Sequence, residues 1–145
     1  MWEVSVVAAL VARHQVRGVS GQSGAPHAHR WRIRVAVRAS QLDETGWVLD
    51  FKHIGAVLRA LIAPYEGAFL NDVAPFDDLN PTRENVARVL ADNLATKLDD
   101  RRARVHRVEI WEEDVCCATY FRDGTSPAPP ERGRDDGCTS PALPV

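Results

Sequence analysis

The sequence predicts an α+β fold in which an antiparallel four-stranded sheet carries two helices on one face. Three observations predict this class: alternating apolar residues open the chain, two stretches of helical spacing follow, and two shorter alternating segments come last before a polar tail. The resulting order is strand, strand, helix, helix, strand, strand, so that two hairpins enclose a helical pair. The 145 residues are enough for one domain with a sizeable core.

The first two strands are predicted over residues 2–14 and 28–38, where apolar and polar residues alternate. Because successive side chains point to opposite faces of a strand, alternation separates a core face from an outer face. The apolar face of the first strand begins at Trp2 and ends at His14. On the second strand the core face starts with His27 and His29, and the outer face carries Arg30, Arg32, Arg34 and Arg38.

Helical spacing of apolar residues predicts a first helix over residues 51–62, which Pro64 ends. Residues 63–81 contain Gly, Asn, Asp and three prolines, and they are predicted to form a loop. Thr82 is the expected N-cap of a second helix that runs to about Leu98, with Glu84 in its first turn. Residues 105–112 and 116–122 then form a final hairpin.

Composition limits the cellular setting. Residues 123–145 are rich in Pro, Gly, Arg and Asp, so we expect a domain over residues 1–122 followed by a disordered tail. A net charge of −2 gives no sign of bulk nucleic-acid binding, and no apolar run reaches the ~20 residues of a membrane helix. Two adjacent cysteines and one in the tail form no disulfide framework. We therefore expect a cytoplasmic protein without nucleic-acid or membrane partners.

Three histidines form the most informative pattern of the chain. His14 ends one apolar strand face, and His27 and His29 begin another. If the two strands pair antiparallel, the three imidazoles converge, and three histidines with an open fourth position are the arrangement of a catalytic zinc site. On spacing alone, packed or surface histidines are an equally good interpretation, because an H-x-H pair is a weak signal.

The chain resembles the family of 6-pyruvoyl-tetrahydropterin and 6-carboxytetrahydropterin synthases over roughly residues 2–121. Each motif is weak alone, and the series in the family's order is specific. The segments that carry the resemblance are Ala12-Arg13-His14, His27-Ala28-His29, the stretch from Gly46 to Phe51, Phe69-Leu70-Asn71-Asp72, the stretch from Asn80 to Asn85, and Glu112 with Tyr120 eight residues later.

The resemblance implies a tunnelling fold, in which subunits pair their sheet edges around a ring, often as a hexamer, and form active sites at subunit interfaces. It implies a reduced pterin as substrate, typically 7,8-dihydroneopterin triphosphate, and Zn²⁺ as cofactor. The metal ligands implied are His14, His27 and His29. Glu112 is implied as the anchor of the pterin ring, and Thr82 as a second substrate-binding residue.

Two departures from the family pattern concern proton transfer. The family's general base is a cysteine four residues before the histidine pair, and this chain has Ser23 there. An Asp-His pair of the family corresponds to Glu66 and Gly67. A serine hydroxyl is a much weaker base than a thiolate.

We therefore expect Glu66, with Ser23, as the catalytic candidates of a zinc-dependent lyase. Two alternatives remain open at this point. One is a diverged zinc cyclase or lyase that acts on a non-pterin substrate in specialised metabolism. The other is a non-catalytic relative that binds pterin and metal.

Overall fold

The computed structural model of the protein describes residues 1–20 and 24–122. One antiparallel sheet has the strand order β1-β2-β3-β4, and both helices pack on the same face of it, which confirms the predicted fold class. The strands are β1 (Trp2–His14), β2 (His27–Ala39), β3 (Ala103–Glu112) and β4 (Cys116–Phe121), and the helices are α1 (Phe51–Ile62) and α2 (Arg83–Leu98). The predicted tail, residues 123–145, lies outside the described residues.

The core lies between the sheet and the two helices. Leu10 of β1 is paired with Trp31 of β2, and Ile33 of β2 is paired with Ile110 of β3. All four side chains are buried, as the period-2 alternation of these strands predicts. Burial along the core face of β1 increases from the exposed Trp2 to the buried His14.

A β-bulge interrupts the pairing of β2 with β3. Ala36 is opposite Arg107, whereas Val37 is opposite Val105, so that His106 is the extra residue of β3. Because of the bulge, Val105 and Val108 both point into the core although they are three residues apart.

The opposite face of the sheet carries the row of arginines and is held by ion pairs. Glu3 of β1 accepts from Arg38 at 2.7 Å and from Arg107 at 2.8 Å, and Arg107 also bonds to Glu109 at 3.0 Å. These contacts connect the first three strands across the face that has no helices.

Both helices begin at the predicted residues, each with a side-chain cap. Asp50 accepts a hydrogen bond from the Lys52 N–H (2.9 Å), and Thr82 accepts one from the Asn85 N–H (3.2 Å). The buried side of α2 comprises Val86, Ala87, Leu90, Ala91, Leu94, Ala95 and Leu98. Over the described residues, neither helix combines the length and apolar character that a membrane crossing needs.

The predicted loop, residues 63–81, is anchored to the core and to β1. It contains two short 3₁₀ turns, at Ala63–Tyr65 and Leu70–Asp72. Phe76 is fully buried, with its ring centroid 5.5 Å from that of Tyr65. The Arg13 N–H donates to the Ala68 carbonyl at 2.9 Å, so the loop lies along the outer edge of β1 near His14.

We expect Phe76→Ala to lower the free energy of unfolding by about 3–5 kcal/mol, because the substitution leaves a cavity in the core. The matched control is Phe51→Ala, since Phe51 is 57% exposed; its effect should stay within about 0.5 kcal/mol. Urea denaturation of both variants measures the difference. Equal effects would show that this loop is not part of the cooperative core.

Candidate metal centre and ligand pocket

Three histidine side chains meet where β1 ends and β2 begins. The strand register places His14 directly opposite His27, and His29 lies two residues further along the same face of β2. One ring nitrogen from each histidine lies within 4.8 Å of the other two. His14 is buried, and His27 and His29 are half-buried. The convergence expected from the sequence is therefore present within one chain.

Backbone carbonyl groups fix the orientation of two of the rings. His14 Nδ1 lies 2.8 Å from the Pro81 carbonyl oxygen, and His27 Nδ1 lies 2.6 Å from the Ala25 carbonyl oxygen. A carbonyl oxygen only accepts hydrogen bonds, so both Nδ1 atoms carry the proton. In the neutral rings, both Nε2 atoms then present lone pairs.

These two Nε2 atoms are 3.0 Å apart. Two lone pairs at this distance repel each other unless a proton or a metal ion lies between them. Burial lowers the pKa of His14, although the Pro81 carbonyl and the Glu112 carboxylate act in the opposite direction. A proton is therefore disfavoured on His14, and the donor set fits a divalent metal ion that accepts imidazole nitrogens.

Two asparagine side chains hold the segment that follows His14. Asn71 accepts from the Gln15 N–H at 2.8 Å and donates to the Gln15 carbonyl at 2.9 Å. Asn80 pairs with Arg17 in the same way, at 2.8 Å and 3.0 Å. Because each amide satisfies one N–H and one carbonyl group, the two pairs continue the ladder of β1 beyond its end and keep His14 beside Pro81.

Glu112, at the end of β3, provides a carboxylate beside the histidines. Its oxygens lie 3.6 Å from His14 Nε2 and 3.7 Å from His29 Nε2, and its side chain is 14% exposed. The core face of β3 directs Glu112 inwards, since the residue is paired with the buried Trp31 of β2. Arg83 donates from Nη1 to Glu112 Oε2 at 3.1 Å.

A tight turn fixes the position of Glu112. The Val115 N–H donates to the Glu112 carbonyl at 3.0 Å, and φ is positive at both central residues of the turn, Glu113 (50°) and Asp114 (55°). Positive φ is costly for residues with a Cβ atom. The Glu113 carboxylate offsets this cost by accepting the Arg30 N–H at 2.8 Å.

Two of the histidines, His14 and His27, line a pocket of about 240 Å³ together with Glu112. The other residues of its wall are Val16, Thr82, Arg83 and Glu84. A cleft of similar size, about 250 Å³, lies at the opposite end of β1 between Trp2, Trp47 and Phe51, and it is mainly apolar. The first pocket is the candidate site, because the polar groups converge there.

The remaining predicted residues have different positions. Thr82 lines the pocket while it caps α2. Glu66 is exposed at the outer edge of β1, where it accepts from the Val11 N–H at 3.4 Å, and it does not line the pocket of its own chain. Ser23 lies outside the described residues. Sequence reasoning missed Arg83, whose only signal was its place between Thr82 and Glu84.

An α+β fold with three histidines beside a carboxylate, a set of side chains suited to a metal ion, defines the class of this protein. Comparison with known proteins identifies its family. The family model described as 6-pyruvoyl tetrahydropterin synthase matches residues 3–123, and the chain belongs to this family.

Curated relatives support the assignment. The chain is 30% identical over 133 residues to a protein of Synechocystis sp. named 6-carboxy-5,6,7,8-tetrahydropterin synthase, covering 88% of this chain and 98% of the relative. It is 32% identical over 104 residues to a Bacillus subtilis protein of the same name, covering 68% of each.

A solved structure shows the fold. The 6-pyruvoyl tetrahydropterin synthase of Caenorhabditis elegans superimposes with a TM-score of 0.74 at 20% identity, covering 83% of this chain and 95% of that chain. The single-chain part of the tunnelling fold, a four-stranded antiparallel sheet with two helices, is thereby confirmed.

We expect the metal-free protein to lose stability as the pH falls below about 6.5, the pKa of an unperturbed histidine. Because the folded pKa of His14 is lowered, the unfolded chain binds more protons between the two pKa values, and acid therefore favours unfolding. Thermal unfolding at pH 7.5 and 5.5 measures the effect. His14→Gln should reduce the dependence on pH, whereas His53→Gln, at an exposed helix position, should preserve it. Equal dependence in both variants would contradict this account.

Proposed function

We propose that this protein is a zinc-dependent lyase of the 6-carboxy- or 6-pyruvoyl-tetrahydropterin synthase type, acting on a reduced pterin such as 7,8-dihydroneopterin triphosphate. The observation that carries the proposal is the pair of Nε2 atoms, of His14 and His27, 3.0 Å apart, next to a third histidine and the Glu112 carboxylate. The names of the Synechocystis and Bacillus subtilis relatives support the same reaction class.

His14, His27 and His29 are the residues that would hold the metal ion. When bound, a zinc ion supplies Lewis acidity that lowers the pKa of side-chain hydroxyl groups of the substrate. Glu112 anchors the ring, because a carboxylate accepts the exocyclic amine and the adjacent ring N–H of a pterin as a two-point pair. Thr82 lines the same pocket and is the second binding residue of the proposal.

Glu66 is the proposed general base, and Ser23 the residue that replaces the family's cysteine. Glu66 is exposed in the loop beside the edge strand β1 and does not line the pocket of its own chain. We therefore propose a homo-oligomer, of the hexameric kind that the family implies, in which Glu66 serves the site of a neighbouring copy. The exposure of Glu66, outside the pocket of its own chain, supports this arrangement.

A second candidate function has support in the sequence. Cysteine is absent before Cys116, and Gly67 takes the place of the family's histidine, so the usual proton-transfer groups are missing. These replacements favour either a changed reaction on a non-pterin substrate or binding of pterin and metal without turnover. Product analysis distinguishes the candidates.

We expect purified protein to contain one zinc ion per chain and to convert 7,8-dihydroneopterin triphosphate. His27→Ala removes one of the three ligands, so both bound zinc and turnover should fall to background. The control His53→Ala, at an exposed position of α1, should change neither. Metal analysis and chromatography of the products provide the measurements. Bound zinc with no product from any reduced pterin would favour the second candidate, and absence of stoichiometric metal would contradict both catalytic functions.

We expect Glu66→Gln to lower kcat by about 10²–10⁴-fold, the usual contribution of a general base. The amide oxygen of glutamine can still accept the Val11 N–H, so folding and zinc content should be unchanged. Glu44→Gln, also exposed, is the matched control. Full activity of Glu66→Gln would exclude Glu66 as the base.

A further inference from the structure

Arg83 is a pocket residue to which the sequence motifs assign no role. Its guanidinium donates from Nη1 to Glu112 Oε2 at 3.1 Å, and both residues line the pocket of about 240 Å³. The Arg83 side chain is 32% exposed and that of Glu112 is 14% exposed. The wall of the pocket therefore presents a cationic donor directly beside an anionic acceptor.

Rigid elements position both groups. Arg83 is the first residue of α2, where the Thr82 cap fixes the first turn. Glu112 is the last residue of β3, where pairing with Trp31 and the following tight turn fix its direction. Donor and acceptor thus belong to two elements that pack against each other, α2 and β3, and meet at the pocket.

The hydrogen-bonding capacity of the pair exceeds the one bond between them. An ionised carboxylate offers about four lone-pair sites, so Glu112 can keep its bond to Arg83 and still accept two N–H groups from a ligand. A guanidinium carries five N–H donors, and one of them makes the contact with Glu112. Glu112 therefore offers two acceptor positions to a ligand, and Arg83 offers a donor position next to them.

We propose that Arg83 and Glu112 together recognise the edge of a 2-amino-4-oxopyrimidine ring, with Arg83 donating to the 4-oxo oxygen. This inference rests on the proposed function, in which Glu112 accepts the exocyclic amine and the ring N–H. The carbonyl group follows these two donors on the same edge of a pterin, so the ligand presents donor, donor, acceptor. Arg83 is accordingly a specificity-determining residue.

The arrangement discriminates against 2,4-diaminopyrimidine rings. Their 4-amino group donates and cannot accept from the guanidinium, and their neutral ring lacks the N–H next to it. A site built to satisfy hydrogen bonds rejects analogues that leave its polar groups unpaired. Arg83 therefore distinguishes two ligands of almost identical shape.

The test is equilibrium binding of neopterin and of its 4-amino-4-deoxy analogue to the zinc-loaded full-length protein, followed by pteridine fluorescence. Arg83→Met removes every donor of this side chain at similar length, and Arg83→Lys retains a cationic donor. Arg88→Met is the matched control, because Arg88 lies on the same helix, is exposed and does not line the pocket. Thermal unfolding of each variant verifies that it is folded.

Arg83→Met should weaken neopterin binding about tenfold to a hundredfold, the value of a hydrogen bond to a charged group. Binding of the 4-amino analogue should change less than about twofold, because it makes no bond to Arg83. Arg83→Lys should restore part of the neopterin affinity, and this variant also decides the question if Arg83→Met does not fold. Arg88→Met should bind both ligands like the wild type.

Two results would overturn the inference, and they are distinguishable. If Arg83→Met weakens both ligands equally, Arg83 acts only by holding Glu112, since both ligands donate their 2-amino group to that carboxylate. The proposed function would still stand in that case. If the wild-type protein binds neither pteridine, the proposed function fails and the recognition edge fails with it.

Discussion

The candidate site depends on one local constraint, the approach of His14 Nε2 and His27 Nε2 to 3.0 Å. Each ring donates from Nδ1 to a backbone carbonyl, so neither can turn its protonated nitrogen inwards without losing a hydrogen bond, which for His14 is buried. Burial disfavours a proton on His14. A bound cation would relieve the repulsion between the two Nε2 atoms, so the arrangement fits a metal ion better than it fits a packed cluster of histidines.

The backbone of the fold determines this short distance between His14 and His27. Antiparallel pairing brings His14 opposite His27, and the loop before α2 contributes the Pro81 carbonyl that orients His14. The same loop is held by Asn80 and by the buried Phe76, so core packing and ligand geometry are coupled. Destabilising this loop would therefore disturb the three-histidine cluster, although the loop contributes none of the three histidines.

The sequence was informative where a periodic pattern determines geometry. Alternation in β1 and β2 placed the three histidines on one face, and helical spacing located both helices to within a residue. Arg83 could not be predicted, because its contact with Glu112 depends on how the first turn of α2 faces the end of β3. The hydrogen bonds of Asn80 to Arg17 and the bulge at His106 likewise depend on pairing between residues distant in sequence, which no local pattern encodes. The role of Glu66 remains a proposal that depends on a neighbouring copy.

X-ray absorption at the zinc edge of protein loaded with one equivalent of zinc tests the central claim most directly. The account predicts three imidazole nitrogens at about 2.0–2.1 Å from the metal, one of which is lost in His14→Ala. A zinc shell without imidazole ligands, or a spectrum that does not change in His14→Ala, would contradict it.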